Sequence, residues 1–89
     1  LLLYEMVEGY LEKRQPYREE HLALAQAAVA EGSLVLGGAF ANPADGAALV
    51  FKGDNPQIAT GFAEQDPYVK NGIVAQWTVR EWTVVVGGE

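Results

Sequence analysis

The chain contains no cysteine, which excludes disulfide staples and thiolate chemistry alike. It has a single histidine, and a self-contained zinc site draws on several His or Cys ligands, so no metal is expected. Serine is as scarce, with Ser33 alone, so the common covalent nucleophiles are almost unrepresented. Positive charge is in short supply too: six Lys and Arg face twelve Asp and Glu, a net charge of −6, which argues against a nucleic-acid binder. Apolar runs are short and interrupted, far below the ~20 residues that span a bilayer, so no membrane partner is expected. Leu1–Leu3 lacks the charged flank and the length of a secretory signal. A cytoplasmic location follows as the expectation.

What remains is 89 residues, 49% of them apolar, enough for one core. Two cores of roughly 45 residues each would fall near the size at which stapling is needed, so a single domain over 1–89 is expected. Leu2–Glu8 reads as a first strand, and Gly9 to Pro16 breaks the pattern. Tyr17–Glu31 is rich in Ala, Leu, Glu and Gln and predicts a helix capped by Gly32. Ser33–Ala41 and Gly46–Lys52 read as strands joined through Asn42-Pro43-Ala44-Asp45. Asn55-Pro56 opens a helix to about Gln65, and Asp66-Pro67 starts a short turn that Asn71-Gly72 ends. Ile73–Val86 closes the chain as a long strand.

The order β-α-β-β-α-β predicts an α+β fold of the ferredoxin-like plan, a four-stranded antiparallel sheet with two helices on one face. The last strand decides what covers the other face. Val74, Gln76, Thr78, Arg80, Trp82 and Val84 alternate with Ala75, Trp77, Val79, Glu81, Thr83 and Val85, which puts a tryptophan and aliphatic side chains on both sides. A sheet with one wet face should alternate cleanly. The pattern therefore predicts a homodimer packed through the sheet face. Trp77 and Trp82 fall on opposite faces and read as core and interface anchors rather than one aromatic cage.

The candidate chemistry lies at the start of the first long helix. At 100° per residue His21 shares a stripe with Tyr17, Leu24, Ala25 and Ala28, with Glu19, Glu20, Gln26 and Ala30 behind it. Arg18 falls on the inward side as well. A histidine so placed either fills space at a helix terminus or acts as a general acid/base, the work for which imidazole titrates near neutral pH. The second role needs a carboxylate to fix the tautomer, and Asp66 is the candidate. As an N-cap, Asp66 spends part of its acceptor capacity on backbone N–H groups and keeps lone pairs for a histidine. Gly37-Gly38 is the other anomaly, since glycine weakens a strand unless a bulge or close approach demands it. These glycines do not open a helix, so a phosphate loop is rejected.

Leu11-Glu12-Lys13-Arg14, Arg18, His21-Leu22, Glu31-Gly32, Gly38 and Asp66-Pro67-Tyr68-Val69 with Gly72 occur in this order nearly end to end. In this the chain resembles the YciI-like (YCII-related) family. The most specific parts are Arg-x-x-His-Leu and Asp-Pro-Tyr-Val-x-x-Gly. The resemblance implies the ferredoxin-like fold of the dimeric α/β-barrel group and a cleft with a histidine–aspartate pair, here His21 and Asp66. Against the family pattern, the turn between the second and third strands is short, which opens the cleft mouth, and the chain starts a residue or two late.

Relatives in this group include one that removes chloride from a hydroxylated aromatic ring, and related barrels include muconolactone isomerases and small monooxygenases. The resemblance thus implies cofactor-independent acid/base chemistry, of lyase or isomerase type, on a small oxygenated, aromatic molecule. His21 would move the proton and Asp66 would orient and charge it. Arg18, or Arg14 from the preceding loop, would stabilise an enolate or phenolate oxygen. Tyr68, or Tyr4 from the first strand, would line the pocket. The alternative is a dimeric small-molecule-binding module whose cleft binds without reacting. A third reading, a purely structural dimer, predicts a cleft filled by the partner's side chains. With a net charge of −6, an anionic ligand must be held locally by Arg14 and Arg18, so salt should weaken its binding.

Overall fold

A computed structural model describes residues 1–87; the expected domain runs two residues beyond them. Four strands, β1 (Leu2–Met6), β2 (Leu34–Ala39), β3 (Gly46–Phe51) and β4 (Val74–Val79), form one sheet in the order β2-β3-β1-β4. Every neighbouring pair is antiparallel. Between them lie α1 (Tyr10–Lys13), a 3-10 turn (Gln15–Tyr17), α2 (Arg18–Glu31), α3 (Gln57–Gln65) and α4 (Pro67–Lys70). This is the ferredoxin-like plan, with the α1 turn added in a segment whose sequence shows only a break.

Register separates the two faces of the sheet. Leu2 lies opposite Leu49 and Val79, and Tyr4 opposite Ala47 and Trp77, so these six side chains share one face. There Leu2, Tyr4, Ala47 and Leu49 are buried together with Ala28 of α2 and Phe62 and Ala63 of α3. Both long helices therefore cover the same side. Helix α2 stops where expected: Gly32 adopts φ 87°, a left-handed conformation that glycine takes without a Cβ penalty, and Ser33 N–H donates to the Ala28 carbonyl at 3.1 Å. Helix α3 starts where the Asn55 side chain accepts from Gln57 N–H at 2.9 Å.

Two strand expectations need correction. The first strand ends at Met6 rather than Glu8, beside an irregularity between Glu5 and Met6. The last strand covers Val74–Val79 rather than Ile73–Val86. Its ladder closes with Arg80 N–H donating to the Leu1 carbonyl at 2.9 Å, and residues 81–86 pair with no strand among the described residues. The irregularity also breaks the alternation, because Met6 faces Val74 while Glu5 faces Gln76. Val74 thus joins Trp77 and Val79 on the helix side, and Gln76 and Thr78 remain on the open side, a clean apolar/polar split. Trp82 lies beyond the strand and is exposed, so it is no sheet-face anchor. The open face is nonetheless apolar, through Leu3, Ala48 and Val50 of the central strands and through Leu36, which is 62% exposed. Phe40 extends that surface over Gly46.

Candidate functional site

The chain meets itself at Asp66. This residue ends α3 with an extended backbone (φ −68°, ψ 122°) and caps α4, its Oδ1 accepting from Tyr68 N–H at 3.0 Å. Pro67 follows at the first helical position, where a missing N–H costs nothing. The aspartate is wholly buried, and three donors hold it. Besides the cap, Tyr4 Oη donates to Oδ2 at 2.6 Å, and His21 Nδ1 lies 2.8 Å from Oδ1. A carboxylate has only acceptor oxygens, so Nδ1 carries the proton and Nε2 is the free ring nitrogen. The carboxylate that caps a helix thus also fixes the tautomer of a histidine 45 positions away.

The His21 imidazole stacks on the Tyr68 ring, with centroids 3.9 Å apart and planes within 5°. Asp66 places both rings, one by side chain and one by backbone. His21 remains 16% exposed on its side chain, while Asp66 behind it is sealed from solvent.

His21 opens onto a cavity of about 330 Å³ between α2 and the β2–β3 side of the sheet. Tyr4, Arg14, Arg18 and Tyr68 line it with His21; Asp66 does not reach its surface. The remaining wall is mostly apolar, with Leu22, Ala25 and Val29 of α2 facing Leu34, Ala47 and Leu49 of the sheet. Among the described residues no Asp or Glu lines it, and Arg14 and Arg18 are the formally charged groups on its wall at neutral pH when His21 is neutral. The Arg14 guanidinium sits over the Tyr10 ring, 5.5 Å from its centroid.

Both tyrosines at the centre hold their protons more firmly than usual. For Tyr4 the main cause is burial, reinforced by its hydrogen bond to Asp66 and by the charge of that carboxylate. For Tyr68 burial again raises the pKa; Arg18 and then Arg14 oppose it, and Asp66 adds a smaller push upward. The Tyr68 hydroxyl is buried and has no hydrogen-bond partner of good geometry, although Arg18 lies beside it.

Three features of the site were hidden in the sequence. Tyr4 was expected as pocket lining; it also anchors the second oxygen of Asp66. Tyr10 enters from α1, an element too short to leave a periodic signal. Gln26, assigned to the outer side of the helix, reaches the cavity rim. Gly37 and Gly38 form part of the cavity wall, and here the signal was present, since a glycine pair inside a strand marks a close approach.

An antiparallel four-stranded sheet with helices on one face, and a buried carboxylate holding a histidine at a cavity, define a ferredoxin-like α+β protein with an imidazole–carboxylate centre. The model of the YCII-related domain matches residues 1–83, and the chain belongs to that family. It is similar to a protein of Haemophilus influenzae described as uncharacterised, with 34% identity over 90 residues, covering 89% of this chain and 90% of the relative. Among solved structures it resembles 5-chloro-2-hydroxyhydroquinone dehydrochlorinase (TftG) of Burkholderia phenoliruptrix in complex with 2,5-dihydroxybenzoquinone. The TM-score is 0.74 at 23% identity, covering 92% of this chain and 91% of the other, a likeness of fold. No helix among the described residues is long and apolar enough to cross a membrane.

Proposed function

We propose that this protein is an acid/base enzyme, of lyase or isomerase type, acting on a small oxygenated molecule, aromatic ones included. The observation that carries this reading is the 2.8 Å contact between His21 Nδ1 and Asp66 Oδ1 at the edge of the cavity. With Nδ1–H donated to Asp66, Nε2 presents a lone pair to a bound molecule and accepts its proton. The imidazolium formed is balanced by the carboxylate behind it, which Tyr4 holds in place. Arg14 or Arg18 then stabilises the enolate or phenolate oxygen that loses the proton or develops charge. A positioned general base contributes about 10²–10⁴-fold in rate. The dehydrochlorinase of similar fold, which acts on a chlorinated hydroxyhydroquinone, supports the substrate class.

The same proposal includes a homodimer through the open sheet face. Leu36 and Phe40, 62% and 49% exposed, continue the apolar surface of Leu3, Ala48 and Val50. An apolar surface of this extent is characteristic of a covered interface.

The test is deuterium exchange at acidic carbon positions, followed by NMR over a screen of small phenols, lactones and keto acids, with the hydroxyhydroquinone tested for chloride release. Wild type should turn over a member of the screen, and His21→Ala should lose turnover while unfolding at nearly the same denaturant concentration. Equal rates in the two proteins would refute the catalytic role of His21. Tight binding with no change in any ligand over hours would instead support the non-reacting module.

A further inference from the structure

We propose that the cavity selects a small monoanion with a flat apolar body, its negative group held by Arg14, Arg18 and the Tyr68 hydroxyl and its body seated against the bare backbone at Gly37. The proposal rests on the reading of this cavity as the ligand site, but not on any reaction taking place in it.

Charge is the first ground. The chain carries six basic residues against twelve acidic ones, yet two of the six line this cavity and no carboxylate among the described residues does. In an acidic protein that arrangement concentrates positive potential at one place. The second ground is the Tyr68 hydroxyl. Tyr68 is 3% exposed and lines the cavity, and its O–H finds no acceptor among the described residues, since the neighbouring Arg18 can only donate. A buried phenol left unpaired costs free energy that a bound acceptor recovers. Burial holds the phenol protonated above the usual tyrosine range, which makes it a donor at neutral pH. Arg18, on an exposed side chain beside it, brings its guanidinium to the same place as that hydroxyl.

The third ground is shape. In β2, Gly37 pairs with Leu49 and so lies on the helix side, the side of the cavity. A Cβ there would stand 3.2 Å from Leu49 Cγ, a tight contact with a flexible side chain rather than with backbone. The residue has no left-handed conformation that would require glycine. Alanine here requires Leu49 to give by a few tenths of an ångström, and with glycine that stretch of the cavity wall stays flush with the backbone. Leu22, Ala25 and Val29 close the opposite wall with apolar atoms, which favours a flat hydrocarbon body over a polyhydroxylated one.

The probes are benzoate, its neutral isostere benzamide, and acetate, which has the charge without the body. Binding is measured by titration calorimetry and by amide shifts of Gly37 and Gly38. Benzoate should bind at least tenfold tighter than either of the others. Tyr68→Phe should weaken benzoate about tenfold. Gly37→Ala should weaken benzoate but leave acetate unchanged, with both variants keeping the wild-type unfolding midpoint within a few tenths of a molar in urea. Benzamide or acetate binding as well as benzoate overturns the proposal, as does Gly37→Ala binding benzoate normally. A carboxylate is only one source of this chemistry. A phenolate arm, with 4-nitrophenolate and benzoate compared at pH 8.5 where both are monoanions, separates the sources: tighter binding than benzoate assigns the site to ring oxyanions, the reverse to carboxylates. Binding is read without turnover, so a screen that finds no reaction while the benzoate preference stands refutes the acid/base reading alone, and the two failures are distinguishable.

Discussion

Replacing Asp66 should damage the fold and the chemistry in separable amounts, because each of its hydrogen bonds has a different fate. In Asp66→Ala the α4 cap is lost, at about 1 kcal/mol. The Tyr4 hydroxyl, on a residue only 2% exposed, is then left buried without an acceptor, at about 1–3 kcal/mol. His21 retains access to solvent and adds less. The total is about 2–4 kcal/mol, a large part of the stability of a domain this size. Asp66→Asn behaves differently. Tyr68 N–H points at the Oδ1 position and excludes an amide nitrogen there, so the asparagine oxygen takes that place. It then accepts from both Tyr68 N–H and His21 Nδ1–H, while its nitrogen donates to the Tyr4 oxygen. Stability should fall by only about 1–2 kcal/mol. The histidine tautomer stays as it was, but the charge that balances an imidazolium is gone, and turnover should drop about 10²-fold or more.

Urea unfolding followed by tryptophan fluorescence gives the stabilities, and ¹⁵N shifts of the His21 ring give the tautomer. Tyr4→Phe supplies an internal check through a reversal of sign. In wild type it strands Asp66 Oδ2 and should destabilise by about 1–3 kcal/mol. In Asp66→Ala it removes the stranded hydroxyl and should be neutral or stabilising. The coupling between the two sites is then of order 1–3 kcal/mol. Equal costs for Ala and Asn at position 66, or additivity with Tyr4→Phe, would refute the arrangement of donors described.

Alkaline pH should destabilise the protein through the same centre. Tyr4 and Tyr68 have raised pKa values in the folded state, so the folded chain holds protons that the unfolded chain releases. Their contribution is fully present below the unfolded tyrosine value of about 10 and is lost as pH rises beyond it. Tyr4 alone should cost about 1 kcal/mol by pH 11, and a denaturation series in Tyr4→Phe should show a shallower loss. Leu36→Glu, on the open sheet face, should turn the proposed dimer into a monomer in sedimentation without changing the cavity; a monomeric wild type would refute the dimer, and a dimer unchanged by the substitution would place its interface elsewhere. Gly46→Ala should destabilise by about 1–3 kcal/mol in thermal unfolding, since its Cβ would stand 2.6 Å from the Tyr4 carbonyl oxygen and 3.0 Å from the Phe40 ring.

Local sequence chemistry made the element order readable. Gly32 ends α2 in the left-handed conformation, Asn55 caps the turn into α3, and Asp66-Pro67 starts α4. Each signal works within a few residues, so no long-range information was needed. The last strand shows where that reasoning stops. Residues 80–86 have strand-like composition, but a strand exists only where a partner supplies the other half of each hydrogen bond, and pairing ends at Arg80 with Leu1. The alternation then misled at Val74, because the β1–β4 irregularity shifts its register by one residue, which sequence periodicity cannot register. The open apolar face comes instead from Leu3, Ala48 and Val50 together with Leu36 and Phe40 on or beside β2, a strand whose alternation two glycines interrupt.

The site was legible for a different reason. Asp66 acts through short-range geometry and long-range contact at once: a cap fixes the carboxylate to within one helical turn, and α2 then needs only an inward-facing histidine near its start to meet it. His21 satisfies this through helical periodicity, and the resemblance to YciI-like proteins added the pairing that periodicity lacks. Tyr4 completes the arrangement from the sheet, where alternation places it on the helix face beside Leu2. Three elements thus converge on one buried side chain whose removal disturbs all of them. Loss of activity in an alanine variant at position 66 therefore says little about chemistry by itself. The asparagine variant, which keeps the cap and the tautomer and removes only the charge, separates the catalytic role of the carboxylate from its structural one.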